Sequence, residues 1–69
     1  MTHKEYLQKV GLEIKVARIR KSMSVQDVSK ATGLHDGTIN KVERGVKDTH
    51  ILTYKRIADA LQIEMKDFL

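Results

Sequence analysis

The sequence predicts an all-α fold of four to five helices, and three observations support this prediction. Apolar residues recur at intervals of three and four along most of the chain, which is the periodicity of helices that bury one face. Strand-like alternation of apolar and polar residues is absent. Residues typical of helix starts and glycines typical of helix ends separate the periodic segments. The 69 residues are expected to form a single domain, 1–69.

The composition excludes several classes of protein. A chain this short buries only about 60% of the surface that its unfolded form exposes, which leaves one modest core and no deep catalytic cavity. The absence of cysteine excludes a disulfide scaffold and a thiolate zinc site. No apolar run approaches the roughly 18 residues that a membrane span needs, and no signal-peptide pattern opens the chain. We therefore expect a cytoplasmic protein with no membrane association.

The first helix is predicted to begin near His3 and to end near Lys21. Thr2 followed three residues later by Glu5 is the pattern of a capping box. Gly11 lies within the helix and costs about 1 kcal/mol relative to alanine, so a bend or a later start is an alternative there. The apolar positions at helical spacing are Leu7, Val10, Ile14 and Ala17.

The second helix is predicted to begin after Ser24, a residue type preferred as an N-cap. Asp27 places an acidic side chain in its first turn, where the helix dipole favours negative charge. Val28 and Ala31 are predicted to face inward. Gly33 is expected to end the helix with a positive φ.

The third helix is predicted from Asp36 to Arg44, with Ile39 and Val42 buried and Gly45 at its end. The two helices around Gly33 form the pattern of a helix-turn-helix, in which the second helix protrudes from the surface. A protruding helix on a small basic domain is suited to the major groove of DNA.

A fourth helix is predicted to begin at Thr49 or His50, after a loop over residues 46–50 that has no periodicity. Residues 64–69 are predicted to form a last turn or a short fifth helix. The apolar stripe of the fourth helix consists of Ile51, Tyr54, Ile57, Ala58 and Leu61.

The net charge of +4 favours a polyanionic partner, but the charge is unevenly distributed. Residues 1–22 contain six basic and two acidic side chains, whereas the rest of the chain contains seven of each. The proposed recognition helix therefore lies in a neutral part of the sequence. Five basic residues are expected to lie on a solvated face, and about two of them to contact phosphate. They are Lys4, Lys9, Lys15, Arg20 and Lys21.

Several short motifs together resemble the phage-repressor and Cro-type helix-turn-helix family over residues 11–69. Each motif is weak alone, but their joint order and spacing are specific. They are GLEIKVAR at 11–18, MS at 23–24, ATGL at 31–34, INKVERG at 39–45 and IADAL at 57–61.

The resemblance implies a λ-repressor-like domain that binds double-stranded operator DNA as a homodimer, and hence a transcriptional repressor or controller. It implies that Arg18 and Glu43 form a partly buried ion pair between the first and third helices, with Arg18 leaning toward a phosphate. Phosphate contacts are implied for Ser24 to Gln26 and for the loop that contains Lys47. Base contacts are implied for His35, Asp36, Gly37 and Lys41. Beside these positions lie Thr38, Asn40 and Arg44.

The chain departs from the family pattern at the recognition surface. Val25 occupies a position where the family typically has glutamine. Asp36 can only accept a hydrogen bond, for example from cytosine N4, and Gly37 offers only backbone. Lys41 could donate to guanine and Asn40 could pair with adenine, or both could be ordinary solvated side chains.

Dimer contacts are expected at Phe68 and Leu69, and a regulatory partner protein remains an alternative source of control. Residues 1–10 could extend the first helix, pack on the domain or reach along DNA. The rival function is a protein-interaction module or an antitoxin-type domain whose main partner is another protein. Catalytic motifs and cofactor motifs are absent from the sequence, and the three histidines lack the spacing of metal ligands.

Overall fold

The computed structural model describes residues 1–67 and contains four α-helices and a final 3₁₀ turn. These elements are α1 (His3–Arg20), α2 (Val25–Thr32), α3 (Asp36–Arg44), α4 (Ile51–Leu61) and the turn Met65–Asp67. The described part of the chain contains no strand. The predicted all-α fold is confirmed.

Reciprocal hydrogen bonds fix the starts of α1 and α2. The Thr2 hydroxyl accepts from the Glu5 N–H at 3.1 Å, and the Glu5 carboxylate accepts from the Thr2 N–H at 3.3 Å. Ser24 and Asp27 repeat the arrangement at 3.0 and 2.8 Å. The backbone and hydroxyl hydrogen bonds of Ser24 lower the pKa of Asp27. Both predicted starts are therefore confirmed, each by two satisfied backbone donors.

Left-handed glycines end α2 and α3. Gly33 has a φ of 77° and Gly45 has a φ of 69°, values that a residue with a Cβ adopts at a cost. The first reverses the chain between the two helices of the helix-turn-helix, and the second releases it into the loop before α4. Both predicted helix ends are confirmed.

The core lies where α1, α2, α3 and α4 meet. Two predicted inward positions are wrong. Ala31 is exposed because the inward line of α2 runs through Val25, Val28 and Thr32. Ile51 is 58% exposed because it occupies the first turn of α4, before the first buried residue of that helix. The buried apolar side chains are Val10, Ile14, Val28, Ile39, Val42, Tyr54, Ile57, Ala58 and Leu61.

Helix α1 runs from His3 to Arg20 through Gly11, so the alternative of a later start there is wrong. Gly11 is buried, and a Cβ on it would collide with the carbonyl oxygens of Val42 and Glu43. The glycine therefore allows α1 and α3 to cross at close range. This crossing places α3, the predicted recognition helix, against α1, which carries the basic excess of the chain.

Candidate nucleic-acid interface

Helix α3 is amphipathic, and its outer face is open to solvent. Ile39 and Val42 are buried at 0% and 2% exposure and attach the helix to the core. Thr38 is half-buried beside them. The exposed side of α3 carries Asp36, Gly37, Asn40, Lys41 and Arg44.

His35 precedes α3 as its N-cap residue and is exposed. Its side chain makes no capping hydrogen bond. The imidazole is therefore available to a ligand at this end of the helix.

A groove runs between α1 and the outer face of α3. Among residues 1–67, none of the cations Lys15, Lys41 and Arg44 forms an ion pair. The charged side chains of α3 cancel one another, but in the folded chain α3 lies beside positive charge contributed by α1. The groove is lined by Lys15, Arg18, Gly37, Asn40, Lys41, Glu43 and Arg44.

Arg18 of α1 and Glu43 of α3 form a bidentate ion pair at the base of this groove. Arg18 Nε donates to Glu43 Oε2 at 2.7 Å, and Nη2 donates to Oε1 at 3.1 Å. Nη1 donates to the Met23 carbonyl oxygen at 2.9 Å, which ties the segment before α2 to the same group. The side chains are only 12% and 6% exposed. The hydrogen bonds to Glu43 raise the pKa of Arg18 despite its burial.

This ion pair fixes how α3 sits on the molecule. A bidentate guanidinium–carboxylate pair defines both the distance and the relative rotation of the two helices. Three of the five N–H groups of Arg18 are already used in hydrogen bonds within the protein. Arg18 is thus primarily a positioning residue for the exposed face of α3.

The start of α2 presents a second polar surface outside the groove. Gln26 is exposed, whereas Val25 is half-buried and packs against the core. The exposed Ser24 hydroxyl accepts from the Asp27 N–H at 3.0 Å. Val25 therefore adds apolar packing and offers no polar side chain to a ligand at this position.

The loop after α3 presents an exposed Lys47. His3 Nε2 and Asp48 Oδ2 lie 3.0 Å apart, which connects the start of α1 to this loop. The structure thus divides the sequence-predicted residues into the groove, the start of α3, the start of α2 and this loop.

Lys15 is a functional candidate that the sequence did not distinguish from the other basic residues of α1. Nothing in its local sequence differs from that of an ordinary solvated lysine. The only signal was its spacing. Lys15 and Arg18 lie four and seven residues after Gly11, on the side of α1 that the close crossing turns toward α3.

Other kinds of site find less support. No group of three or more potential ligands that could hold a metal ion occurs within residues 1–67. Helices of the described chain are too short or too polar to cross a membrane.

Comparisons with known proteins agree with this geometry. The helix-turn-helix family model matches residues 14–68. The crystal structure of the restriction-modification controller protein C.AhdI from Aeromonas hydrophila is similar over 100% of both chains, with 26% identity and a TM-score of 0.93. A variant of C.Esp1396I bound to its highest-affinity operator site is similar over 91% of this chain and 83% of that chain, with 27% identity and a TM-score of 0.81.

No curated protein sequence is significantly similar to the chain. The family match covers most of the chain and includes all of α2, α3 and α4. This protein belongs to the helix-turn-helix family.

Proposed function

We propose that the protein is a cytoplasmic transcriptional repressor or controller. It binds double-stranded DNA of defined sequence as a homodimer. The observation that carries the proposal is the outer face of α3, which is solvent-exposed, bordered by cations without ion pairs and held in place by Arg18 and Glu43. The similar structures support it, because one is a restriction-modification controller and another is bound to an operator site. No enzymatic activity is proposed.

Base contacts are assigned to the centre of α3. Lys41 donates to guanine O6 or N7, and Asn40 pairs with adenine. Gly37 lies one turn before Lys41 with open space around its Cα, so the backbone can approach the base edges closely. Asp36, which follows His35 at the start of α3, accepts a hydrogen bond, as from cytosine N4.

Phosphate contacts surround this centre on several elements. Lys15 and Arg44 reach the backbone from the groove, and Lys47 reaches it from the loop after α3. Ser24 and Gln26 contribute at the N-terminus of α2, where free N–H groups and the helix dipole attract anions. These contacts set the register of α3 and do not read sequence.

A dimer would place two copies of α3 about 34 Å apart, one turn of DNA. Phe68 and Leu69, the dimer contacts predicted from the sequence, lie outside the described residues. An exposed apolar patch follows α3 directly and supports contact between copies, since Val46, Ile51 and Leu52 are 58%, 58% and 68% exposed.

The test is selection from random double-stranded oligonucleotides, followed by binding measurements at several salt concentrations. We expect a palindromic consensus and an affinity that falls steeply with salt as counterions return to the phosphates. Weak, sequence-independent retention would overturn the proposal and favour the protein-interaction module.

The selected site then tests the role of Lys41. Lys41→Ala is expected to cost about 1–3 kcal/mol of binding and to relax preference at one base pair. Lys55→Ala is the matched control, since Lys55 is an exposed lysine of α4 that pairs with Asp59 at 3.5 Å and lies outside the groove. An unchanged consensus in the Lys41 variant would remove this residue from base recognition.

A further inference from the structure

The outer side of α1 carries a second apolar stripe, separate from the one that faces the core. Leu12, Val16 and Ile19 are 59%, 38% and 57% exposed, and their spacing of four and three residues aligns them along the helix. Val10 and Ile14 are buried on the opposite side. A helix that is apolar on both sides is typical of one that packs against two partners.

Two residues of this stripe, Leu12 and Val16, form one wall of a groove. The floor and opposite wall include Ala17 and Ile63, which are half-buried and pack against the core. The groove extends from Leu12 to Lys21, which is about 13–14 Å at the rise of an α-helix. That length accommodates two to three turns of a second helix.

The polar groups of this groove are incompletely paired. Glu13 Oε1 lies 3.5 Å from Lys9 Nζ, whereas Oε2 is buried and has no hydrogen-bond partner. Within residues 1–67, Arg20 and Lys21 at the far end of the groove form no ion pair. The two cations are therefore available to pair with carboxylates of an occupant.

The charges favour an acidic occupant over a second copy of this basic chain. Two cations, Arg20 and Lys21, line the groove with the single carboxylate of Glu13, which already pairs with Lys9 at 3.5 Å. The groove also lies on the flank of α1 away from Lys15, so an occupant leaves the DNA-facing groove open.

We propose that this groove binds an acidic amphipathic helix of another protein. Apolar side chains of that helix pack against Leu12, Val16 and Ile63, and its carboxylates pair with Arg20 and Lys21. The inference rests on the proposed function for its biological meaning, because a protein held here is brought to the operator. Its chemistry stands on the groove alone.

The test uses two synthetic helical peptides with the same apolar positions, one flanked by glutamates and the other by lysines. Each is titrated into the full ¹⁵N-labelled chain and followed by amide chemical shifts. We expect the acidic peptide to bind saturably, at least about tenfold more tightly than the basic one, since two exposed ion pairs replace two repulsions. The shifts should concentrate along α1 and at Ile63.

Two variants sharpen the test. The double variant Arg20→Glu and Lys21→Glu should invert the preference between the peptides. The double variant Leu12→Gln and Val16→Gln should lose the acidic peptide and keep the affinity for the selected operator. Both pairs are exposed, so the fold should persist.

Equal affinity for the two peptides, or shifts centred on α3, would overturn the proposal. A decrease in sedimentation mass in the Leu12 and Val16 variant would also overturn it, by showing a second copy in the groove. Failure of operator selection with retained binding of the acidic peptide would contradict the proposed function and leave the groove assignment supported.

Discussion

Replacing Arg18 and Glu43 singly and together measures how strongly the ion pair holds α3. Glu43→Leu leaves a guanidinium that is 12% exposed without its carboxylate, and Arg18→Met leaves a carboxylate that is 6% exposed without its cation. The double variant removes both charges and fills the space with apolar atoms. We expect each single variant to be less stable than the double variant.

The magnitude follows from the burial of the pair. Removing one partner of a buried pair costs about 3–5 kcal/mol, and Glu43→Leu should lie near the lower value because Arg18 keeps its hydrogen bond to Met23. A chain of 69 residues has a total stability of about 3–10 kcal/mol. A single replacement therefore removes a large share of the stability. Exchange of a buried pair for apolar side chains is often nearly neutral.

The assay is urea denaturation followed by far-ultraviolet circular dichroism, with sucrose added to keep the single variants folded. We expect a coupling energy of at least about 3 kcal/mol, because each single replacement is costly and the double replacement is nearly neutral. The exposed pair Lys55 and Asp59, with side chains 60% and 67% exposed, is the control and should couple by about 0.3–0.5 kcal/mol. Additivity of the Arg18 and Glu43 replacements within about 0.5 kcal/mol would refute the reasoning.

Three further predictions concern other parts of the chain. Gly11→Ala should destabilise the protein by about 1–3 kcal/mol because its Cβ meets backbone of α3, whereas Gly37→Ala, with open space, should stabilise it by about 0.4–1 kcal/mol in the same urea assay. The pKa of Asp27 is lowered in the folded state, so its stabilising effect is present above the unfolded value of about 3.9 and is lost as the pH falls through the folded value. The difference in unfolding free energy between the wild type and Asp27→Asn should therefore shrink in acid, and a constant difference would contradict this. Lys15→Ala should weaken binding to all DNA sequences equally and lower the slope of log affinity against log salt by about one. The measurement compares the selected operator with a scrambled duplex.

Local sequence signals predicted the helices well, because each signal is complete within a few residues. Thr2 with Glu5 and Ser24 with Asp27 satisfy backbone donors three residues away, and glycine at positions 33 and 45 provides the left-handed ends. Such preferences operate whatever the rest of the chain does.

The errors arose where burial depends on neighbours distant in sequence. Ala31 has the apolar character of an inward residue, but α3 and α4 approach α2 along a different line. Ile51 continues the periodicity of α4 beyond the end of the core. Periodicity gives the direction of a side chain on its own helix and not the presence of a second helix opposite it.

The sequence by itself determined the helices, their ends, most of the core and the family. The tertiary structure decided the electrostatics of the recognition surface, because the close crossing at Gly11 places Lys15 beside a helix whose own charges nearly cancel. It also decided which apolar residues of α1 remain in water. Charge and apolar area act through space, so their effects depend on distances between helices that no local pattern specifies.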